Sequence, residues 1–152
     1  MPRTVTLDLQ DLPATHALAA RLARLLRAGD AVLLEGPLGA GKSELARAVL
    51  RAAAGDPGLE VPSPTFTLVQ SYDLPAGPAH HFDLYRLDGP AGLDELGWEE
   101  AREGIVLVEW PDRLGALAPA DALRITLEPG REEDARRVHL AGWDDRLDRL
   151  AA

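Results

Sequence analysis

A chain of 152 residues has room for one hydrophobic core and not for two, so a single domain spanning residues 1–152 is expected. Its formal charge of −9 is the wrong sign for a protein that must neutralise a nucleic-acid backbone unaided, and no apolar run approaches the roughly 20 residues that cross a bilayer. The absence of cysteine excludes disulfide scaffolds, thiolate metal sites and cysteine nucleophiles, and Met1 to Thr6 carry no apolar signal region, so the cytoplasm is the expected compartment.

Thr4 to Leu9 alternate as a strand, and Asp11-Leu12-Pro13 opens a helix that places Leu18, Leu22, Leu25 and Leu26 on one face before Gly29 stops it. Ala31 to Leu34 is an unbroken apolar run, the signature of a strand covered on both faces. A glycine-rich loop follows, then a helix from Lys42 to Ala54. Residues 55–64 read as a loop, and Thr65 to Tyr72 alternate as a strand. A second strand over His81 to Leu87 is joined to it through the turn Pro75 to Pro78, giving a hairpin. Leu93 to Arg102 is predicted helical, Ile105 to Val108 a buried strand, Leu123 to Leu127 and Arg137 to Leu140 two more strands, and residues 144–150 a short helix. Buried parallel-type strands alternating with helices predict an α/β fold, a three-layer sandwich with a mixed central sheet flanked by helices, and the glycine-rich loop between the central strand and its helix makes it P-loop NTPase-like.

Gly36-Pro37-Leu38-Gly39-Ala40-Gly41-Lys42-Ser43 fits the G-x-x-x-x-G-K-[ST] pattern at every position and stands between the buried strand and the helix, the context that the pattern requires. The glycines let successive backbone N–H groups aim at phosphate oxygens, and the helix start adds its positive dipole end. Lys42 reaches the outer phosphates and the Ser43 hydroxyl can ligate Mg²⁺. Composition strengthens the reading: among 16 basic residues Lys42 is the only lysine. A tight backbone cradle needs a slim point charge, for which the planar guanidinium is no substitute. ATP and Mg²⁺ are the cofactors this predicts.

P-loop enzymes take a metal carboxylate from the end of a buried strand, and Glu109 directly follows Ile105 to Val108. A solvated acid at a strand end is the competing account. Asp83 lies in His81-Phe82-Asp83-Leu84-Tyr85-Arg86, facing away from Phe82 and Leu84 together with His81 and Tyr85. It could order water or the metal shell, or simply pair with an arginine. His80 and His81 point to opposite sides of a strand and give a weak metal signal, read as a turn residue and an ordinary hydrogen-bonding residue. Pro62-Ser63-Pro64-Thr65 suits either a segment folding over a triphosphate or a rigid strand entrance. Trp98, Trp110 and Trp143 show no stacking-platform spacing and read as core or partner surface.

The P-loop, Ser63-Pro64-Thr65-Phe66-Thr67-Leu68-Val69, His81-Phe82-Asp83-Leu84-Tyr85-Arg86 and Leu107-Val108-Glu109-Trp110-Pro111, in that order, closely resemble the bacterial TsaE (YjeE) family, the ATPase component of the machinery that makes threonylcarbamoyladenosine at position 37 of tRNA. The likeness covers nearly the whole chain, including Thr15-His16-Ala17-Leu18-Ala19. It implies that Lys42 and its loop hold the phosphates, that Ser43 and Glu109 are Mg²⁺ ligands, that Asp83 is a second essential acid and that Thr65 sits in a switch-like segment. It implies further that Trp110 adjoins the nucleotide and that Thr15 and Arg131 touch the nucleoside. TsaD-like and TsaB-like subunits would be the partners, with tRNA met only through them and no membrane involved. Pro37 departs from the acidic or amide residue that the family often has and removes one N–H near the loop entrance; Ser43 replaces the usual Thr but keeps the hydroxyl.

A small-molecule kinase would use the same loop, but an acceptor pocket and an arginine-bearing lid need more chain than remains here. A GTPase is disfavoured because its N-K-x-D base signature needs an asparagine, and the chain has none. A module that binds ATP without hydrolysing it shares the same loop and stays open.

Overall fold

The computed structural model describes residues 4–64 and 66–151; Thr65 lies outside them. Among the described residues seven strands form one mixed sheet: β1 (Thr4–Leu9), β2 (Ala31–Glu35), β3 (Val69–Leu74), β4 (Gly77–Asp83), β5 (Ile105–Glu109), β6 (Leu123–Pro129) and β7 (Arg136–Ala141). Their spatial order is β1-β7-β6-β2-β5-β4-β3. β2 lies at the centre, parallel to β5 on one side and to β6 on the other, and β4 is parallel to β5. The antiparallel pairs β3·β4, β6·β7 and β1·β7 finish the two edges.

The apolar run of β2 behaves as two-sided burial requires. Val32 and Leu34 pack with Leu18, Leu22, Leu45 and Val49 from α1 (Leu12–Leu25) and α2 (Lys42–Ala54), along with Leu147 and Leu150 of α4 (Leu147–Ala151). Ala31 and Leu33 face the other way, into a cluster with Phe82, Leu84, Val106, Val108 and Trp98. Trp98 meets Phe82 edge to face at 5.2 Å. α1 starts where expected because the Asp11 carboxylate accepts from Ala14 N at 2.9 Å, with Pro13 in the first turn. Among the described residues no helix is long and apolar enough to cross a membrane.

Three expectations need correction. β3 begins at Val69, not at position 65, because Leu68 adopts φ +70 and its N–H turns back to Pro64 O at 2.6 Å, which interrupts an extended chain. β4 runs over Gly77–Asp83 and ends before Leu84, whose carbonyl accepts from Leu87 N in a turn at 2.9 Å. His80 is therefore a strand residue and not a turn residue, bonded to Ser71 across the hairpin at 2.8 Å. The helix expected over Leu93 to Arg102 is a 3₁₀ turn at Asp94–Leu96 and one α turn, α3 (Trp98–Ala101), because Gly92 and Gly97 disfavour a continuous helix and Trp98 N bonds back to Leu93 O.

Candidate functional site

The carboxyl ends of β2, β5 and β4 meet at one edge of the sheet, where open α/β sheets collect ligands. β2 delivers the chain into residues 36–41 and α2 begins at Lys42, with Gly41 as its N-cap and no side chain capping the first turn. The first-turn N–H groups of this 13-residue helix are thus left for an outside acceptor. At Gly36 and Gly41 the loop runs close against its neighbours. A Cβ on Gly36 would come 2.5 Å from Leu127 O of β6, and one on Gly41 would come 2.6 Å from Arg136 Nε of β7.

Lys42 is 5% exposed. Its ammonium donates to the carbonyl of Gly36 and, at 2.9 Å, to that of Pro37, and it stands 4.1 Å from the centre of the Trp110 ring. Pro37 loses an N–H, yet its carbonyl takes part in the loop by accepting from both Lys42 and Ala40 N. Burial lowers the pKa of the Lys42 ammonium, and the charges of Glu109 and Asp83 oppose that shift. Both carboxylates therefore lie within electrostatic reach of the same cation.

Parallel pairing explains why. In the register of β4 and β5, Asp83 stands opposite Glu109, and Leu84 N bonds to Glu109 O just beyond. Both acids are buried, at 6% and 2% exposure. Glu109 Oε1 accepts from Ser43 Oγ at 2.8 Å, and Glu109 Oε2 is 2.7 Å from His81 Nε2. Asp83 accepts from Tyr85 N at 3.1 Å, and its own N–H bonds to Leu68 O. The solvated strand-end account of Glu109 is thereby set aside. Trp110 follows in the left-handed region, φ +60, which turns its ring over Lys42 and against Tyr85.

A hollow of about 380 Å³ opens between these groups, lined by Gly39, Lys42, Ser43, Asp83, Glu109 and Trp110 among others. Arg136 borders the loop at Gly41 and also lines a larger hollow of about 870 Å³ between Leu9, Gly130 and Arg131. Uncapped amides, a buried cation and a glycine cradle fit a phosphate chain. Among the described residues no three acids, histidines or cysteines form a cage. A divalent ion here would draw on Ser43, Glu109, phosphate oxygens and water, which suits Mg²⁺.

The residues expected at the site are distributed unevenly. Residues 36–43, Asp83, Glu109 and Trp110 come together, and Arg131 is exposed on the larger hollow. Thr15 faces inward on α1 at 3% exposure with its hydroxyl unpartnered among the described residues, and it is not among the residues lining either hollow. Two site residues were missed. The sequence gives His81 only as an ordinary hydrogen-bonding residue, although it shares a strand face with Asp83, two residues on. Arg136 had no signal at all, since only the β6·β7 hairpin brings it to Gly41.

Residues 9–138 match the family described as "Threonylcarbamoyl adenosine biosynthesis protein TsaE". Proteins named "tRNA threonylcarbamoyladenosine biosynthesis protein TsaE" are similar to the chain: that of Rickettsia felis is 38% identical over 80% of this chain and 71% of its own length. That of Nostoc sp. is 34% identical over 95% and 90% respectively. The crystal structure of YdiB from Bacillus subtilis superposes with a TM-score of 0.75 at 27% identity, covering 99% of this chain and 93% of that one.

Proposed function

The chain belongs to the TsaE family, and from that premise we propose that it binds Mg²⁺-ATP in the loop of residues 36–43 and hydrolyses it slowly to drive a partner. Its place is in threonylcarbamoyladenosine biosynthesis, the process for which its relatives are named. The finer assignments are that the modified base is adenosine 37 of tRNA, and that hydrolysis resets a complex of TsaD-like and TsaB-like subunits. One observation carries the ATPase reading: Ser43, at the start of an uncapped helix, is bonded to a buried carboxylate, Glu109, whose strand neighbour is a second buried carboxylate, Asp83.

In this reading the α2 amides and Lys42 hold the phosphates, and Ser43 and Glu109 face the metal. When bound, Mg²⁺ offsets the charge of the β- and γ-phosphate oxygens. Asp83 orders the attacking water or the outer metal shell, Trp110 covers the lysine, and Arg131 and Arg136 flank the nucleoside side. Partner dependence is supported by the formal charge of −9, which opposes tRNA binding by this chain alone. The test is ATP turnover measured with the protein alone and then with the partner complex and tRNA. Slow turnover alone, rising at least about tenfold in the full mixture, is expected; no turnover in either would leave only the non-hydrolysing, ATP-sensing reading. Stimulation by a small phosphate acceptor instead would favour a kinase.

A further inference from the structure

His81 is 1% exposed, and its ring makes one hydrogen bond, through Nε2 to Glu109 Oε2 at 2.7 Å. The other nitrogen, Nδ1, is buried with no hydrogen-bond partner among the described residues. A carboxylate only accepts, so Nε2 carries the proton and donates. Leaving a buried polar atom unpaired costs about 1–3 kcal/mol, and Leu or Val would fill a site beside Leu107, the partner of His81 in the β4·β5 register, without that cost. Folding therefore gives no reason for an imidazole here, and the bond to Glu109 does.

Glu109 is held at both oxygens: Ser43 Oγ donates to Oε1 at 2.8 Å and His81 to Oε2. Two donors on opposite oxygens fix both the rotamer and the plane of a carboxylate. The Ser43 hydroxyl can keep donating to Oε1 while offering a lone pair to a divalent ion. The imidazole faces Glu109 from the strand side, so it holds the carboxylate toward the loop without occupying the hollow. Residues that orient a metal-facing carboxylate in this way typically govern affinity by about 10–100-fold.

We propose that His81 is a positioning residue for the divalent ion, its Nε2–H locking the Glu109 carboxylate toward Ser43 and thereby setting metal affinity in the nucleotide complex. The proposal rests on the reading of Ser43 and Glu109 as the metal-facing pair. The test uses Mn²⁺ binding to the full-length protein saturated with ADP, read by electron paramagnetic resonance, beside ADP affinity in excess chelator, for His81→Gln, His81→Asn and His81→Leu. Gln carries a donor at about the reach of Nε2, whereas Asn carries one only at the reach of Nδ1. The half-saturating Mn²⁺ concentration is expected to rise at least tenfold for Asn and Leu and to stay within about threefold for Gln, with chelator-condition ADP affinity within twofold throughout. Equal shifts for Gln and Asn, or no shift in any variant, would overturn the proposal, and that comparison stands even where the leucine variant fails to fold. An unmutated ADP complex that takes up no Mn²⁺ would overturn the Ser43–Glu109 reading, and the role of His81 with it.

Discussion

Alanine at Gly36 and at Gly39 should separate by several degrees in melting temperature, although both replace a loop glycine of positive φ. At Gly36 φ is +148, and the added Cβ would lie 2.5 Å from Leu127 O and 3.3 Å from Ala40 Cβ. The Leu127 carbonyl belongs to β6, paired with Val138 of β7, so it cannot retreat without disturbing that ladder. Backbone strain of about 1–3 kcal/mol adds to overpacking of about 1–3 kcal/mol. At Gly39, with φ +78 and nothing within 4 Å of the new Cβ, only the left-handed penalty of about 1–2 kcal/mol remains. A domain of this size loses about 2–4 °C per kcal/mol. Gly36→Ala should thus melt about 4–24 °C below the unmutated protein, and Gly39→Ala about 2–8 °C below it. Differential scanning calorimetry of the nucleotide-free proteins measures both. If Gly36→Ala melts at or above Gly39→Ala, the close approach of the loop to β6 is wrong.

Lys42→Ala should weaken ATP binding by about tenfold to a hundredfold, the equivalent of about 1.5–3 kcal/mol for lost bonds to charged groups, while the melting temperature falls by no more than a few degrees; isothermal calorimetry with calorimetric melting checks both. Glu109→Ala and Asp83→Ala should each lower single-turnover hydrolysis by about 10² with the partner complex present, while ATP affinity changes less than about fivefold, because metal placement and water orientation matter chiefly in the transition state. Normal turnover in either variant removes that residue from the chemistry. Arg146→Leu tests the opposite edge of the sheet: it leaves Asp30, 12% exposed at its side chain and gripped by two guanidinium bonds of 2.8 and 2.9 Å, without its partner. Asp30 is only partly buried and keeps the Arg27 N–H at 2.7 Å, so stability should drop by about 1–3 kcal/mol with ATP affinity unchanged, and a melting temperature within 2 °C of the unmutated protein would show that the pair contributes nothing.

Local signals were enough for the loop, α2 and the two central strands. G-x-x-x-x-G-K-S between an apolar run and a helix is a contiguous pattern, and β2 and β5 are buried on both faces, so their composition alone marks them. Glu109 could be placed because it follows such a strand directly. The hairpin was harder. The boundary at Leu68 depends on a left-handed residue that carries no glycine signature, and the end of β4 depends on where β5 stops pairing with it. His81 and Arg136 were out of reach for a related reason. The bond from His81 to Glu109 spans 28 residues and exists only in one parallel register, and Arg136 meets Gly41 only through strand order. Periodicity assigns a face; it does not say which strand lies beside it.

That dependence on register also explains how the acids are kept apart from solvent while the rest of the rim is not. Asp83 N bonds to Leu68 O and Leu84 N to Glu109 O, so three neighbouring strands are tied together at the level of the two carboxylates. Leu68 and Trp110, both at positive φ without being glycine, sit at either side of this tie, each costing about 1–3 kcal/mol of strain. The clusters on both sheet faces over-determine the backbone enough to hold them there. Around this rigid pair the surface is different in kind: Leu38 and Tyr85, which line the hollow, are 68% and 44% exposed, and Arg86, next along the chain, stacks on Phe66, itself 79% exposed. Apolar side chains left in water beside a finished acid pair gain nothing for folding. On the proposed reading, in which a partner governs hydrolysis, the acids are set within the chain and these exposed side chains are what that partner would cover.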